Sequence, residues 1–343
     1  MATSPLAIPM AEPAGKRTVL QFLADGEWHT GVALGRHLEL SRAAIWKQVG
    51  ALRLLGLRVL TDRRQGYRLD RPLELLTASG IQAALTPATR AALEALEVLL
   101  VTTSTNEQLA GRPAPLPGRM QVSVAEYQTG GRGRRGRRWL SPLGHGVCLS
   151  VAWCYEVAPR DLSALGLVAG VAVTSALSTL GANEIRLKWP NDVMADGGKL
   201  GGILVEVAGE SGGPLRVIVG VGLNVRPVPG LTSELEAEGG AVRAVALDEL
   251  RPGETTSRNW LVGALLNALA DSLRDFATGG FATFIGDWRR HDFLLGQQVT
   301  VTSGVQMTRG VARGIADDGA LLLEVDDRIV SVLAGDVTLR APP

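Results

Sequence analysis

Two stretches of this chain carry side chains suited to handling anions. GGRGRRGRRW, from Gly130 to Trp139, holds five arginines and four glycines in ten positions. LKWPNDVMADGGKLGGILVE, from Leu187 to Glu206, sets Trp189 before a rigid Pro190 and follows it with Asn191 and Asp192. It then turns through Asp196, Gly197 and Gly198 to deliver Lys199 at the start of a strand. Guanidinium groups and glycine N–H groups together can wrap a phosphate. An acid and a lysine at opposite ends of one turn can hold a metal nucleotide and an anionic substrate side by side. Each signal has a plainer alternative. Arg/Gly tracts also occur as disordered RNA-binding tails and localisation signals, and Asp192 or Lys199 alone would ordinarily be a surface ion pair.

Position favours the binding loop. MQVSVAEYQ before it and Val147 to Cys154 after it both alternate as core strands. A mobile loop strung between them suits a lid that orders when a ligand supplies the counter-charge. VIVGVGLNV, Val217 to Val225, is a further apolar strand, with glycines where a ligand or another backbone can approach. In TSTN, Ser104 or Thr105 starts a short helix, with Gln108 spaced for a capping box. Such a start also aims N–H groups at a ligand. Cys148 and Cys154 point to one face of their strand, too far apart to bond, and read as buried core thiols of a reducing cytoplasm.

With 343 residues and 46% hydrophobic content, the chain can bury two or three cores around these stretches. The first fifteen residues, a frayed tail, lack the basic start and apolar centre of a signal peptide, and no apolar run reaches membrane-spanning length. The net charge of +1 conceals a balance of +6 between Lys16 and Arg71, which marks that end for a polyanion. There, Val19, Leu20 and Leu23 share a helical face; a second helix fits Gly31 to Leu38 behind Thr30; Ser41 caps a third with Ile45, Val49, Leu52 and Leu55 inward and Arg42, Lys47, Gln48 and Arg53 outward. LRVLTDRRQGYRL then forms two short strands with Arg63, Arg64 and Gly66 at the tip. This is a winged helix-turn-helix, with Ser41, Arg42, Trp46, Lys47, Arg63 and Arg64 as its DNA contacts. The plainer reading is a packing domain with a solvated basic face.

AEYQTGGRGRRGRRWLSP, KWPND followed by KLGGILVE, GVGLNV and the earlier TSTN, taken in this order, resemble the bacterial biotin protein ligases, from about Lys16 to Arg340. The winged helix in front looks like the subgroup that is also the biotin operon repressor. The resemblance implies an α+β fold: a frayed tail at 1–15, a winged helix-turn-helix at 16–71, a biotin/ATP-binding catalytic domain at 72–291 built as a class II synthetase-like mixed sheet with helices largely on one face, and an SH3-like barrel at 292–343. It implies that biotin and ATP form biotinyl-5'-AMP, and that the biotinyl group then passes to a lysine of a biotin carboxyl carrier protein, as in acetyl-CoA carboxylase.

By the same resemblance, biotin is bound by Ser104, Thr105, Asn106, Gln128, Arg132, Gly133, Arg134, Trp139 and Lys199. ATP and the adenylate are bound by Arg132, Arg134, Arg137, Asn191, Asp192, Lys199, Asn224 and Arg340. Lys199 clamps carboxylate and α-phosphate, Arg134 retains the intermediate, and Asp192 either helps place Mg-ATP or orients Lys199. His145 is scaffold, since this chemistry requires no base there. The implied partners are the carrier protein, biotin operon DNA and a second copy of the chain when biotinyl-AMP is bound, with no membrane and a cytoplasmic location. Three alternatives stand beside this: an enzyme whose winged helix does not bind DNA, a regulator without catalysis, and a ligase for lipoate or octanoate, which would generally lack the arginine loop. The stretch 224–247 matches no firm pattern and is a candidate for a second ligand-ordered loop.

Overall fold

The computed structural model describes residues 18–209, 214–228, 242–303 and 306–339. The first elements are α1 (Val19–Leu23), α2 (Gly31–Leu38) and α3 (Arg42–Leu54), each preceded by a hydroxyl residue, Thr18, Thr30 or Ser41, that accepts a backbone N–H of the first turn. The expected inward residues, Val19, Leu20, Leu23, Ile45, Val49, Leu52 and Leu55, form one core with Leu34 and Leu38. Strands β1 (Val59–Asp62) and β2 (Gly66–Leu69) pair antiparallel as the wing. Arg53 does more than face solvent. Its guanidinium donates to Val59 O at 2.7 Å and Thr61 Oγ1 at 2.6 Å, which fixes the wing against α3.

This first core does not close on itself. It takes in Leu73 and Leu143 and packs against Leu100, Val101 and Tyr127, so the winged helix rests on the segment that follows the arginine loop. Gly144 is required there: its φ is +79°, and a Cβ would stand 2.5 Å from Leu73 Cδ1.

The central layer is a seven-stranded sheet. Its strands are β3 (Leu93–Thr102), β4 (Met120–Gln128), β5 (Gly146–Tyr155), β6 (Arg186–Lys188), β7 (Asp192–Ala195), β8 (Gly198–Ala208) and β9 (Leu215–Asn224), in the order β3-β4-β5-β9-β8-β7-β6. Only β3 and β4 run parallel, so the sheet is mixed as expected. Alternation divides its two faces. Val147, Leu149, Val151, Trp153 and Tyr155 of β5 and Val217, Val219, Val221 and Leu223 of β9 enter the main core. That core is closed by α4 (Ala78–Ala83), α5 (Pro87–Ala92), α7 (Leu165–Ser178) and the long α8 (Arg258–Gly279). The other face carries the short α6 (Thr105–Ala110), whose Leu109 packs on Ala152 and Ile218.

A buried ion pair ties the layer together. Arg258, fully buried at the start of α8, donates to both carboxylate oxygens of Glu126 at 2.7 and 3.2 Å and to Gly146 O at 3.3 Å. It therefore grips the last turns of backbone on both sides of the arginine loop. Removing one partner strands the other charge in the core, at a cost of about 3–5 kcal/mol. Arg258→Met is expected to lower the urea-unfolding free energy by about that amount. Adding Glu126→Gln should recover part of it, and a single variant as stable as the parent would remove the pair from the stability of the fold.

After α9 (Ile285–Arg290), five antiparallel strands follow: β10 (Gln298–Ser303), β11 (Gln306–Ile315), β12 (Leu321–Val325), β13 (Arg328–Val332) and β14 (Asp336–Leu339), in the order β13-β12-β11-β10-β14. Asp326 and Asp327, at φ +48° and +59°, make the two-residue hairpin between β12 and β13. Trp189 Nε1 donates to Gly319 O at 3.0 Å, so this sheet is docked on the central layer beside KWPND. No helix among the described residues is long and apolar enough to cross a membrane.

Candidate active site

The helix-poor face of the sheet is floored by glycine. Among the residues of β9 that alternate away from the core are Gly220 and Gly222, with Gly202 of β8 beside them. A Cβ on Gly222 would lie 2.4 Å from Trp139 Cε2, and one on Gly220 would lie 2.4 Å from Asn106 Oδ1. The glycines of GVGLNV thus make room for the indole of Trp139 and the amide of Asn106. Cys148 lines the same cleft, and burial pushes its thiol up to about 11, which leaves it a neutral wall. Cys154 is likewise buried and free.

Helix α6 supplies one rim. Gln128 Oε1 accepts from Thr105 N at 2.8 Å and Thr105 Oγ1 at 3.2 Å. Ser150 Oγ, on the cleft face of β5, lies 2.7 Å from Thr105 Oγ1 and donates to Asn106 Oδ1 at 2.6 Å; Asn106 Nδ2 donates to Glu206 Oε2 at 2.7 Å. A polar network that orders its own members this way holds donors and acceptors ready for a flat, polar ring. The expected capping box is absent. Ser104 occupies the N-cap position without a side-chain cap bond, and Gln108 Nε2 donates to Thr102 Oγ1 at 2.8 Å instead.

The charged centre lies at the opposite wall. Lys199 Nζ donates to Asp192 Oδ1 at 2.5 Å, with Lys188 Nζ 3.8 Å from Asp192 Oδ2. Burial draws the Lys188 ammonium below its usual pKa, Asp192 opposes that, and Lys199 adds to it. Asn191 Nδ2 holds Ile203 O at 2.9 Å. Backbone bonds at 2.7 and 2.9 Å join Lys199 to Arg243 and Val245, so residues 243–245 run alongside it.

The arginine loop crosses above. Arg132 and Arg138 form a bridge, with a short turn at Arg134–Gly136 between them. Arg132 reaches Glu107 at 3.4 Å and Glu206 at 3.6 Å. The remaining arginines converge on one carboxylate of the C-terminal sheet. Asp336 lies 2.6 Å from Arg137, 3.4 Å from Arg135 and 4.0 Å from Arg134, whose Nη1 also donates to Gly335 O at 3.3 Å. Burial lowers the Arg134 pKa and Asp336 opposes the shift.

Of the residues expected to bind biotin or adenylate, Ser104, Thr105, Asn106, Gln128, Arg132, Gly133, Arg134, Arg137, Trp139, Asn191, Asp192 and Lys199 line this one cleft. Asn224 does not: its Nδ2 donates to Lys199 O at 3.3 Å and to Val245 O at 3.2 Å, which ties it to the lysine's strand. Arg340 lies outside the described residues, as do 229–241 of the proposed second loop. His145 Nδ1 faces Leu143 O at 3.0 Å, and burial lowers its pKa, with Arg71, Arg226 and Arg258 adding to that, which agrees with a scaffold role. Four cleft-side groups do not stand out in the sequence as site residues: Ser150, Lys188, Glu206 and Asp336.

On the winged helix, Arg42, Trp46 and Lys47 are exposed, while the Ser41 hydroxyl caps α3 by accepting Ala44 N at 3.2 Å. Asp62 Oδ1 accepts Arg64 N and Gln65 N, which shapes the wing tip that carries Arg63 and Arg64.

Comparison with known proteins follows the same three units. A family model described as HTH domain matches residues 16–68, the biotin/lipoate A/B protein ligase family matches 98–224, and a biotin protein ligase C-terminal domain matches 294–340. Over 324 residues the chain is 36% identical to the bifunctional ligase/repressor BirA of Salmonella typhimurium, covering 94% of this chain and 97% of that one. It is 31% identical over 318 residues to the protein of the same name from Bacillus subtilis, covering 92% and 95%. A solved biotin protein ligase of Aquifex aeolicus, in complex with biotin and ATP, superimposes with a TM-score of 0.58 at 29% identity, over 73% of this chain and 99% of that one.

Proposed function

We propose, on the premise that this chain belongs to the biotin protein ligase family in its bifunctional ligase/repressor form, that its cleft performs both half-reactions of ATP-dependent biotin transfer through Lys199, Asp192 and the Arg132–Arg138 loop. The chain is a ligase that uses biotin and ATP. The observation that supports this residue assignment most strongly is the convergence of a polar ring-binding rim, a glycine floor and a lysine–carboxylate pair in one cleft that Arg132, Arg134, Arg137 and Arg138 also line.

In the first half-reaction a carboxylate oxygen of biotin bonds to the α-phosphorus of ATP, and the bond to pyrophosphate breaks, its electron pair leaving with pyrophosphate. Two anions must approach in line, and the chain's contribution is to cancel charge and hold geometry. Lys199 Nζ bridges the carboxylate and the α-phosphate. Arg132 and Arg134 close over the phosphates, with Arg137 beside them anchored on Asp336, and Thr105, Asn106 and Gln128 hold the ureido ring. In the second half-reaction the amine of the acceptor lysine bonds to the acyl carbon, AMP leaves with the electron pair of the broken C–O bond, and the amine's surplus proton passes to solvent. Lys199 again offsets charge on the leaving phosphate.

A magnesium ion would arrive with ATP and neutralise phosphate charge. Among the described residues no group of three or more His, Cys, Asp or Glu side chains could hold a metal on its own. Asp192 fits an ion carried mainly by nucleotide oxygens. Its pairing with Lys199 supports the orienting role in the resting protein.

The domain limits 16–71, 72–291 and 292–343 remain our reading, as do the acceptor lysine of a biotin carboxyl carrier protein, the biotin-gene operator, the adenylate-dependent homodimer and the cytoplasmic setting. The winged helix supports operator binding through its basic, fixed wing and outward α3. The deciding experiment incubates the chain with ATP, Mg2+ and biotin, with and without a carboxyl carrier domain, and measures pyrophosphate and the mass of the acceptor. Pyrophosphate release with biotin addition to one acceptor lysine is expected; the absence of both would overturn the reading. Within the site, Gly222→Ala drives a methyl into the Trp139 ring. At about 1–3 kcal/mol for such overpacking, it should raise the KM for biotin about tenfold in steady-state adenylation assays. An unchanged KM would remove Trp139 from the biotin wall.

A further inference from the structure

The outward face of α3 is apolar along its centre. Ala43, Trp46 and Gly50 recur at three- and four-residue spacing and so form one stripe, while Ile45, Val49 and Leu52 fill the core behind them. Trp46 is 68% exposed, and a Cβ added to Gly50 would meet nothing within 4 Å. Leu54, 72% exposed, extends the stripe one turn further. Arg42 and Lys47 flank it. The stripe therefore carries no side-chain hydrogen-bonding atom except the indole N–H. The bidentate side chains that read guanine and adenine, Arg, Asn and Gln, are absent from it.

Charge settles what this surface meets. The segment 16–71 balances at +6, and Arg53 locks a wing tipped by Arg63 and Arg64 beside the same helix. A polyanion with a groove wide enough for a helix is duplex DNA. In the major groove one base edge offers an apolar group, the C5-methyl of thymine. We infer that the Ala43–Trp46–Gly50 stripe reads thymine by its C5-methyl group, with Arg42, Lys47 and the wing supplying sequence-blind phosphate contacts. This rests on the operator-binding reading above and names how that surface discriminates.

The test uses the full chain with biotin and ATP. A random duplex library is selected for binding, and each thymine of the enriched sequence is replaced by deoxyuridine, which lacks only the methyl group. At least one replacement is expected to weaken binding about fourfold, the worth of one buried methyl. Trp46→Ala should bind more weakly yet lose that sensitivity, with an unchanged salt slope because no phosphate contact is removed. Arg42→Ala should show the reverse: a shallower salt slope and intact thymine sensitivity. Enrichment with no methyl-sensitive position, or a Trp46→Ala variant that keeps the parent's sensitivity, overturns the inference. So does a Trp46→Ala variant that loses self-association or acceptor binding in place of DNA discrimination. No enrichment at all overturns the operator-binding reading together with it.

Discussion

Lys199→Ala is expected to release pyrophosphate from ATP and biotin about 10²–10³-fold more slowly than the parent, the usual loss when one preorganised charge donor is removed from a transition state. The fold should survive, because Lys199 is 31% exposed and its backbone, not its side chain, bonds to 243 and 245. The same substitution removes the 2.5 Å partner of Asp192 and leaves Lys188 at 3.8 Å from it. That allows the two roles open to Asp192 to be separated. If the carboxylate acts solely by orienting Lys199, Asp192→Asn adds nothing in a Lys199→Ala background. If it also places the metal nucleotide, the double variant loses a further step and needs more Mg2+ to reach half-maximal rate. Pyrophosphate release within a few-fold of the parent in Lys199→Ala would remove this lysine from the chemistry.

Most of this cleft was legible because its parts are local in sequence. The arginine loop lies between two alternating strands, the lysine follows its acid by seven residues across a turn, and parity along GVGLNV puts glycine opposite valine. The winged helix was legible for the same reason: each helix announces itself by a hydroxyl cap and an apolar repeat. What could not be read is what long-range packing decides. Glu206 meets Asn106 across one hundred residues and Asp336 meets Arg137 across 199, and neither acid has a neighbour in the chain that hints at its partner. Ser150 sits in a strand whose alternation marks it as facing away from the core, a usable signal once the cleft face is known. Lys188 reads as a strand-end lysine until its burial beside Asp192 is seen. The capping box failed for a local reason: Gln108 found Thr102 Oγ1, and the Ser104 hydroxyl was left on the cleft rim.

Arg134→Gly should leave adenylation within about tenfold of the parent and release biotinyl-AMP about 10–10²-fold faster, in line with the loss of one or two charge-assisted hydrogen bonds. The geometry argues for this split. In the resting protein the loop's charge is answered by Asp336, so the loop already lies over the cleft, with Arg135 and Arg137 at 3.4 and 2.6 Å from that carboxylate and Arg134 at 4.0 Å, its more distant partner. Arg134 is also the half-buried one of the three, which places its guanidinium nearest the charges beneath it: its field includes Asp192 as well as Asp336. An incoming phosphate can recruit Arg134 without first dissolving the tightest pairs to Asp336, so the loop can hold the adenylate while staying anchored to the C-terminal sheet. Removing Arg134 spares the anchor and deletes the hold. Escaped biotinyl-AMP acylates lysines indiscriminately, so a bystander protein in the assay should become biotinylated by the variant and not by the parent, read by mass and by streptavidin blot. Asp336→Asn supplies the contrast: it loosens the anchor with Arg134 intact, and should slow closure and raise the KM for ATP without labelling bystanders. A variant lacking Arg134 that retains its intermediate as long as the parent would end the assignment of this arginine as the hold on the adenylate.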